Sequence, residues 1–171
     1  MKTEFCRIDE RLLREAKIVL RLAQHKNLTL VTAESCTAGL VAAVLSTAPG
    51  ASGTLHGGYV AYTEANKAAT LDVPPELMEK CGTVCSDVAR AMAEGALAHS
   101  PADVAIAITG VAGPEPDERG NPVGLMYLAG ARRGGETKVM RRDFSTQDAS
   151  HLRYLAVLSA FDLARHVIEA A

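Results

Sequence analysis

Apolar residues recur at helical spacing from Asp9 to His25, at Leu12, Leu13, Ala16, Leu20, Leu22 and Ala23, and this predicts an amphipathic helix. The run 28–33 (Leu-Thr-Leu-Val-Thr-Ala) is short, apolar and β-branched without strict alternation, the pattern of a strand covered on both faces. Glu34 to Gly39 reads as a turn, Leu40 to Ser46 as a helix rich in Ala, Val and Leu, and 49–53 as a loop. Gly57 to Tyr62 is a second predicted strand, followed by a helix from Glu64 to Leu71 that carries Lys67. Pro74-Pro75 suits the first turn of a short helix, where a missing N–H costs nothing, and Ser86 is placed to cap a helix running to about His99. Asp103 to Thr109 is the clearest central strand; it ends in Gly-Val-Ala-Gly-Pro (110–114) and a polar loop to Pro122. Val123–Ala131 and Thr137–Phe144 make two more strands, and Gly134-Gly135 between them signals a hairpin. The last helix opens at Ser145-Thr146-Gln147-Asp148, read as a capping box. Its buried stripe is Leu152, Leu155, Ala156, Ser159, Leu163 and Val167.

The resulting order is α-β-α-β-α-α-α-β-β-β-α. Strands separated by helices imply parallel pairing, and the terminal hairpin adds an antiparallel pair. The expected fold is α/β: a three-layer α/β/α arrangement with a mixed, mostly parallel sheet of about five strands. Composition sharpens this picture. Residues in the AVILMFWYC set make up 48% of the 171, enough for one core, yet there is no Trp and only three Phe and four Tyr. Small apolar side chains suit close packing of helix on sheet. Residues 1–171 are therefore read as one domain.

Charge narrows the partners. The net charge of −2 comes without a strongly basic stretch, which argues against a nucleic-acid surface. The pairs Arg132-Arg133 and Arg141-Arg142 read as solvated strand edges. No stretch approaches the ~18 apolar residues of a membrane span, and Met1 to Glu10 lacks the apolar core of a signal peptide, so a cytoplasmic location is expected. The four cysteines, Cys6, Cys36, Cys81 and Cys85, lack the spacing of a zinc site and read as free thiols, with no metal expected.

In open α/β sheets, sites gather where strands end. Three polar turns fall there: 33–39 (Ala-Glu-Ser-Cys-Thr-Ala-Gly), 62–67 (Tyr-Thr-Glu-Ala-Asn-Lys) and 109–114 (Thr-Gly-Val-Ala-Gly-Pro). Ser35 falls at or just before a helix N-terminus, where outward N–H groups stabilise an oxyanion beside a nucleophile; read from the turn alone, it is equally a helix cap. The hydrolase signature GxSxG is absent, with Ala33 and Thr37 at the glycine positions, and SxxK fails at Ala38. His56 precedes a strand and so lies at the wrong end. Lys67, one turn into its helix, points back over the sheet edge. To act as a base near pH 7 its pKa must fall there from ~10.4, roughly 4 kcal/mol. Tyr62 is positioned to hold or relay the proton. The alternative is an exposed helix lysine.

The three turns, together with Gly82-Thr83-Val84, 92–96 (Met-Ala-Glu-Gly-Ala) and Pro122-Val123-Gly124, resemble in order the motifs of the CinA C-terminal domain family, whose free-standing form is nicotinamide-nucleotide amidase. The resemblance covers roughly residues 10 to 168. It implies a three-layer α/β/α fold and hydrolysis of the carboxamide of a pyridine mononucleotide, nicotinamide mononucleotide, to nicotinate mononucleotide and ammonia. No cofactor or metal is implied, and a homodimer is. It further implies Ser35 as nucleophile, Lys67 as base and Tyr62 as their assistant. Thr37, Thr109 and Gly110 would shape and bind, and Arg153 would help hold the phosphate. The sequence departs from the family pattern at Ala38, where a glycine is usual, and at Cys85, where a serine is common. It departs also at Glu115–Asn121, which lacks paired glycines, and at Gln147-Asp148, in place of a second arginine. A nucleotide-binding module without catalysis and a protein-interaction domain are the competing readings.

Overall fold

The computed structural model describes residues 8–146 and 148–170; Cys6 and Gln147 lie outside them. The chain runs α1 (Glu10–His25), β1 (Leu30–Glu34), α2 (Leu40–Thr47), a 3-10 turn (Ala51–Gly53), β2 (Leu55–Val60), α3 (Glu64–Leu71), α4 (Pro75–Cys81), α5 (Ser86–Ala98), β3 (Val104–Gly110), β4 (Leu125–Arg132), β5 (Lys138–Asp143) and α6 (Ala149–Glu169). The strands form one mixed sheet in the order β2-β1-β3-β4-β5. β1 pairs in parallel with β2 and with β3, whereas β3–β4 and β4–β5 are antiparallel. The α/β architecture matches the expected one.

Strand alternation builds two unequal cores. On β3, Val104, Ile106 and Ile108 face the layer of α1, α2 and α6, where Leu20, Val44 and Phe161 are buried. Ala105 and Ala107 face the other layer with Val88, Ala89, Met92, Ala93 and Ala96 of α5. The alanine-rich face lets α5 lie close to the sheet, which is the use of the small apolar residues noted in the composition. Close approach recurs between helices: a Cβ built on Gly95 of α5 would lie 2.0 Å from the Leu71 carbonyl oxygen at the end of α3.

Several local expectations are corrected. β2 begins two residues earlier than expected because it continues the pairing Leu30↔Leu55 and, as an edge strand, shows one exposed face. The α5 cap is Cys85 rather than Ser86: its backbone is extended and its Sγ accepts from the Val88 N–H at 3.4 Å. α6 is capped by Asp148, whose carboxylate accepts from the His151 N–H at 2.7 Å. Leu155 is half-buried rather than fully inward. Arg133 is exposed, as expected of a strand edge, but its guanidinium also donates to the carbonyls of Leu97, Ser100 and Ala102 and ties α5 to the start of β3. Cys81 and Cys85 are joined as a disulfide, which leaves Cys36 as the free, buried thiol among the described residues. No helix among the described residues is long and apolar enough to cross a membrane.

Alanine in place of a helical glycine ordinarily stabilises by up to about 1 kcal/mol. Gly95→Ala is expected to do the opposite, because the new methyl meets backbone atoms that cannot step aside. A loss of about 2 kcal/mol or more is expected in urea unfolding.

Candidate active site

The site begins at the carboxyl end of β1. Glu34 is the last residue of that strand and its side chain is 0% exposed. One carboxylate oxygen, Oε2, accepts from the Thr37 hydroxyl (2.7 Å) and from the N–H groups of Gly39 (3.0 Å) and Val41 (3.0 Å). The other, Oε1, accepts from the Ala42 N–H (2.9 Å) and the Thr32 hydroxyl (3.1 Å). Orphan N–H groups at a helix start need such an acceptor. The formal N-cap, Gly39, has a φ of 94° and no side chain to offer. Glu34 therefore does the capping from within the core, and Ser35 does not cap α2. This also corrects the expected oxyanion site, since the first N–H groups of α2 are already occupied.

The carboxylate fixes a tight crossing turn. Ser35 still belongs to the sheet through its N–H bond to the Ile108 carbonyl (3.0 Å), and the Ala38 N–H returns to the Ser35 carbonyl (3.0 Å). Ala38 sits at φ 50°, in the left-handed region, where a side chain costs roughly 1–2 kcal/mol. This is the position at which the motif has glycine. Between these anchored groups, the N–H groups of Cys36 and Thr37 donate to no protein acceptor among the described residues. They directly follow Ser35 in the turn.

Lys67 comes from α3, where it shares the inward face with Leu71, one turn on. It is 1% exposed. Its Nζ lies 2.9 Å from the Ser35 Oγ and donates to the carbonyls of Ala61 (3.0 Å) and Tyr62 (3.1 Å). The two carbonyls can only accept, and only the hydroxyl can also donate. A neutral amine at this place therefore gives its two protons to the carbonyls and turns its lone pair to the Ser35 O–H. Burial lowers the lysine pKa from its ordinary 10.5. Glu64 opposes that shift, and so would a Cys36 thiolate. Burial pushes the Cys36 thiol up to about 12, however, so it is uncharged at neutral pH and adds nothing.

The other candidate residues surround this pair in different ways. Tyr62 reaches it through the main-chain carbonyl; its ring is 63% exposed, and its hydroxyl makes no hydrogen bond among the described residues. The Thr37 hydroxyl is taken by Glu34. Thr109 is buried, and its hydroxyl donates to the Thr83 carbonyl at 2.8 Å. Gly110 is required by packing, since a Cβ there would lie 2.6 Å from the Met126 Cγ. Arg153 reaches over from α6, and its Nε donates to the Cys36 carbonyl at 3.2 Å. No carboxylate among the described residues lies within ion-pair distance of this arginine. Nor does any group of three or more His, Cys, Asp or Glu among the described residues form a metal-binding cluster.

A cleft of about 590 Å³ opens between residues 62–64, 82–83 and 116–119; it shares with the pair the segment at Tyr62, whose carbonyl accepts from Lys67. Its outer loop is shaped by side chains where the family motif has paired glycines. The Asp117 carboxylate accepts from the N–H groups of Arg119 and Asn121. The Arg119 guanidinium donates to the carbonyls of Met78, Glu79 and Lys80 at the end of α4. Arg119 and Glu34 were not expected to matter. An acid at the end of an apolar strand and five residues before Gly39 was the available signal for Glu34; nothing in the loop sequence marked Arg119.

A mixed α/β sheet with a serine and a buried lysine in contact at its strand ends defines a protein with a built serine–lysine pair. The chain belongs to the CinA C-terminal domain family, whose model matches residues 13–168. It is 47% identical over 124 residues to a CinA-like protein of Akkermansia muciniphila, an alignment covering 72% of this chain and 30% of that one. It is 41% identical over 147 residues to a CinA-like protein of Geobacter sulfurreducens, covering 86% and 35%. The chain thus spans about a third of the length of these curated relatives. Among solved structures it resembles the competence/damage inducible protein CihA of Agrobacterium tumefaciens, with a TM-score of 0.90 at 31% identity over 95% of this chain and 99% of that one. A CinA superfamily protein of Klebsiella pneumoniae gives a TM-score of 0.89 at 29% identity, over 94% and 99%.

Two substitutions test the turn. Glu34→Gln keeps the shape but sets an NH₂ against N–H donors, so a loss of about 2–4 kcal/mol is expected in chemical unfolding. Ala38→Gly relieves the left-handed alanine and is expected to gain about 0.5–1 kcal/mol in the same assay.

Proposed function

We propose that the chain is a serine–lysine amidohydrolase acting on the carboxamide of a pyridine mononucleotide, releasing ammonia and leaving the carboxylate; nicotinamide mononucleotide is the substrate the resemblance points to. The observation that carries the reading is the contact between the buried Lys67 amine and the Ser35 hydroxyl, 2.9 Å apart. In this mechanism the neutral amine takes the Ser35 proton as Oγ attacks the amide carbon. The oxyanion that forms is stabilised by the N–H groups of Cys36 and Thr37. The Lys67 ammonium, held by the carbonyls of Ala61 and Tyr62, then delivers its proton to the departing ammonia. A water, deprotonated by the regenerated amine, hydrolyses the acyl-serine. Arg153, with no carboxylate partner among the described residues, supplies positive charge for the phosphate. Because Glu34 already fills the start of α2, a reading in which that helix end simply holds phosphate loses its anchor.

Ammonia release from purified protein tests the reaction. Ser35→Ala is expected to lower kcat/KM by about 10³-fold or more with KM little changed, and undiminished turnover in that variant rules the mechanism out. The pH dependence follows from the lysine. Its neutral form is the base, so kcat/KM rises with pH and levels off above an inflection that lies below 10.5. Between that inflection and 10.5 the folded chain binds fewer protons at position 67 than the unfolded chain does. Stability therefore increases with pH across the window, and Lys67→Met is expected to remove that slope in unfolding experiments.

A further inference from the structure

The turn between α4 and α5 connects a cysteine pair to the cleft. Cys81 is the last residue of α4, Cys85 caps α5, and their Cα atoms are 6.1 Å apart, a span that a disulfide bridges without moving backbone. The three residues they enclose are each tied to the site. Gly82, at φ 77°, packs against the Arg119 side chain, so that a Cβ there would lie 3.3 Å from its Cδ. The Thr83 carbonyl accepts the Thr109 hydroxyl at the end of β3. Val84 is buried with Val111 and Leu125 beyond that strand end. Gly82 and Thr83 line the cleft that also holds Tyr62 and Glu64. Both cysteines are half-buried residues, unlike Cys36, which is buried.

We propose that Cys81 and Cys85 form a reversible thiol–disulfide site, exchanging with low-molecular-weight disulfides such as glutathione disulfide, whose closure fixes the Gly82–Thr83 wall of the cleft. Cys85 is the attacking group in the reduced form. Its sulfur accepts the Val88 N–H at the start of α5, a place that favours the thiolate. The Cys85 thiolate attacks one sulfur of glutathione disulfide, and glutathione thiolate leaves. Cys81 then loses its proton to water and attacks the Cys85 sulfur, expelling the second glutathione. Two thiols become one disulfide, and one glutathione disulfide becomes two glutathiones. The Cys81 sulfur lies 3.3 Å from the Leu77 carbonyl, so when the bond is open the thiol has an acceptor at hand, and the turn loses its covalent tie while keeping those to Thr109, Arg119 and the Val84 cluster. The effect on substrate affinity rests on the amidohydrolase reading; the exchange itself does not.

The test uses the full chain in glutathione buffers of rising disulfide fraction, quenched with iodoacetamide and peptide-mapped so that Cys6 and Cys36 are followed separately. The peptide holding Cys81 and Cys85 is expected to pass from doubly alkylated to unalkylated, with a mass about 2 Da below that of the free dithiol peptide and without a lasting glutathione adduct. Amide hydrogen exchange at 82–85 is expected to slow by about threefold or more on closure. Cys81→Ser is expected to abolish that response while keeping the native circular dichroism spectrum, and Ser35→Ala to retain it. KM for nicotinamide mononucleotide is expected to shift by about threefold or more between the two forms, with kcat altered less. The proposal is overturned if both cysteines stay alkylated at high glutathione disulfide, if a single adduct accumulates, or if the bond forms with exchange unchanged. A chain that closes and slows as described but releases no ammonia in either form overturns the amidohydrolase reading and leaves the thiol–disulfide site supported.

Discussion

The candidate active site depends on a lysine amine held out of water against a serine hydroxyl. A buried cation is costly unless its protons find acceptors, and Lys67 has three neighbours: two carbonyls and the Ser35 Oγ. The arrangement satisfies either charge state. Burial tilts the balance toward the neutral one, and in that state only the hydroxyl can answer the lone pair. One contact thus sets both the geometry and the proton inventory of the pair.

That contact exists because two separate segments are held in register at one edge of the sheet. The β1 side is held by Glu34, whose carboxylate gathers the start of α2 and leaves the N–H groups of Cys36 and Thr37 uncommitted. The α3 side is held by the parallel pairing of β2 on β1, which carries the chain to Ala61, whose N–H bonds to the Glu34 carbonyl at 2.8 Å, and then into the Thr63 cap. Glu34 therefore touches both halves, through its side chain on one and its main chain on the other. The left-handed Ala38 shows the cost of the tight turn: the chain keeps its path there with a residue poorly suited to it.

The order of elements and the mixed sheet were legible in the residues, because continuous apolar runs such as Val-Ala-Ile-Ala-Ile (104–108) have few alternatives to a central strand. Ser35 and Lys67 stood out by their position on strand-end turns, although the sequence alone could not distinguish a buried lysine from an exposed one; that distinction comes from α3 turning the Leu71 stripe, and Lys67 with it, toward the sheet. What escaped reading depended on contacts distant in sequence. Arg119 to the end of α4, Arg153 to Cys36 and Arg133 to α5 are side-chain-to-carbonyl bonds whose acceptors carry no residue identity. The caps at Cys85 and Asp148 were each displaced from the expected residue, since boundaries shift with tertiary packing more readily than elements do.

The direct test of this account is the titration of the Lys67 side-chain nitrogen itself, followed by ¹⁵N NMR in the intact chain with Lys67→Met as the assignment control. The account predicts protonation of that nitrogen with a pKa clearly below 10.5, moving when Ser35 is replaced by Ala. A nitrogen that titrates at or above 10.5 and ignores the Ser35 substitution would contradict it.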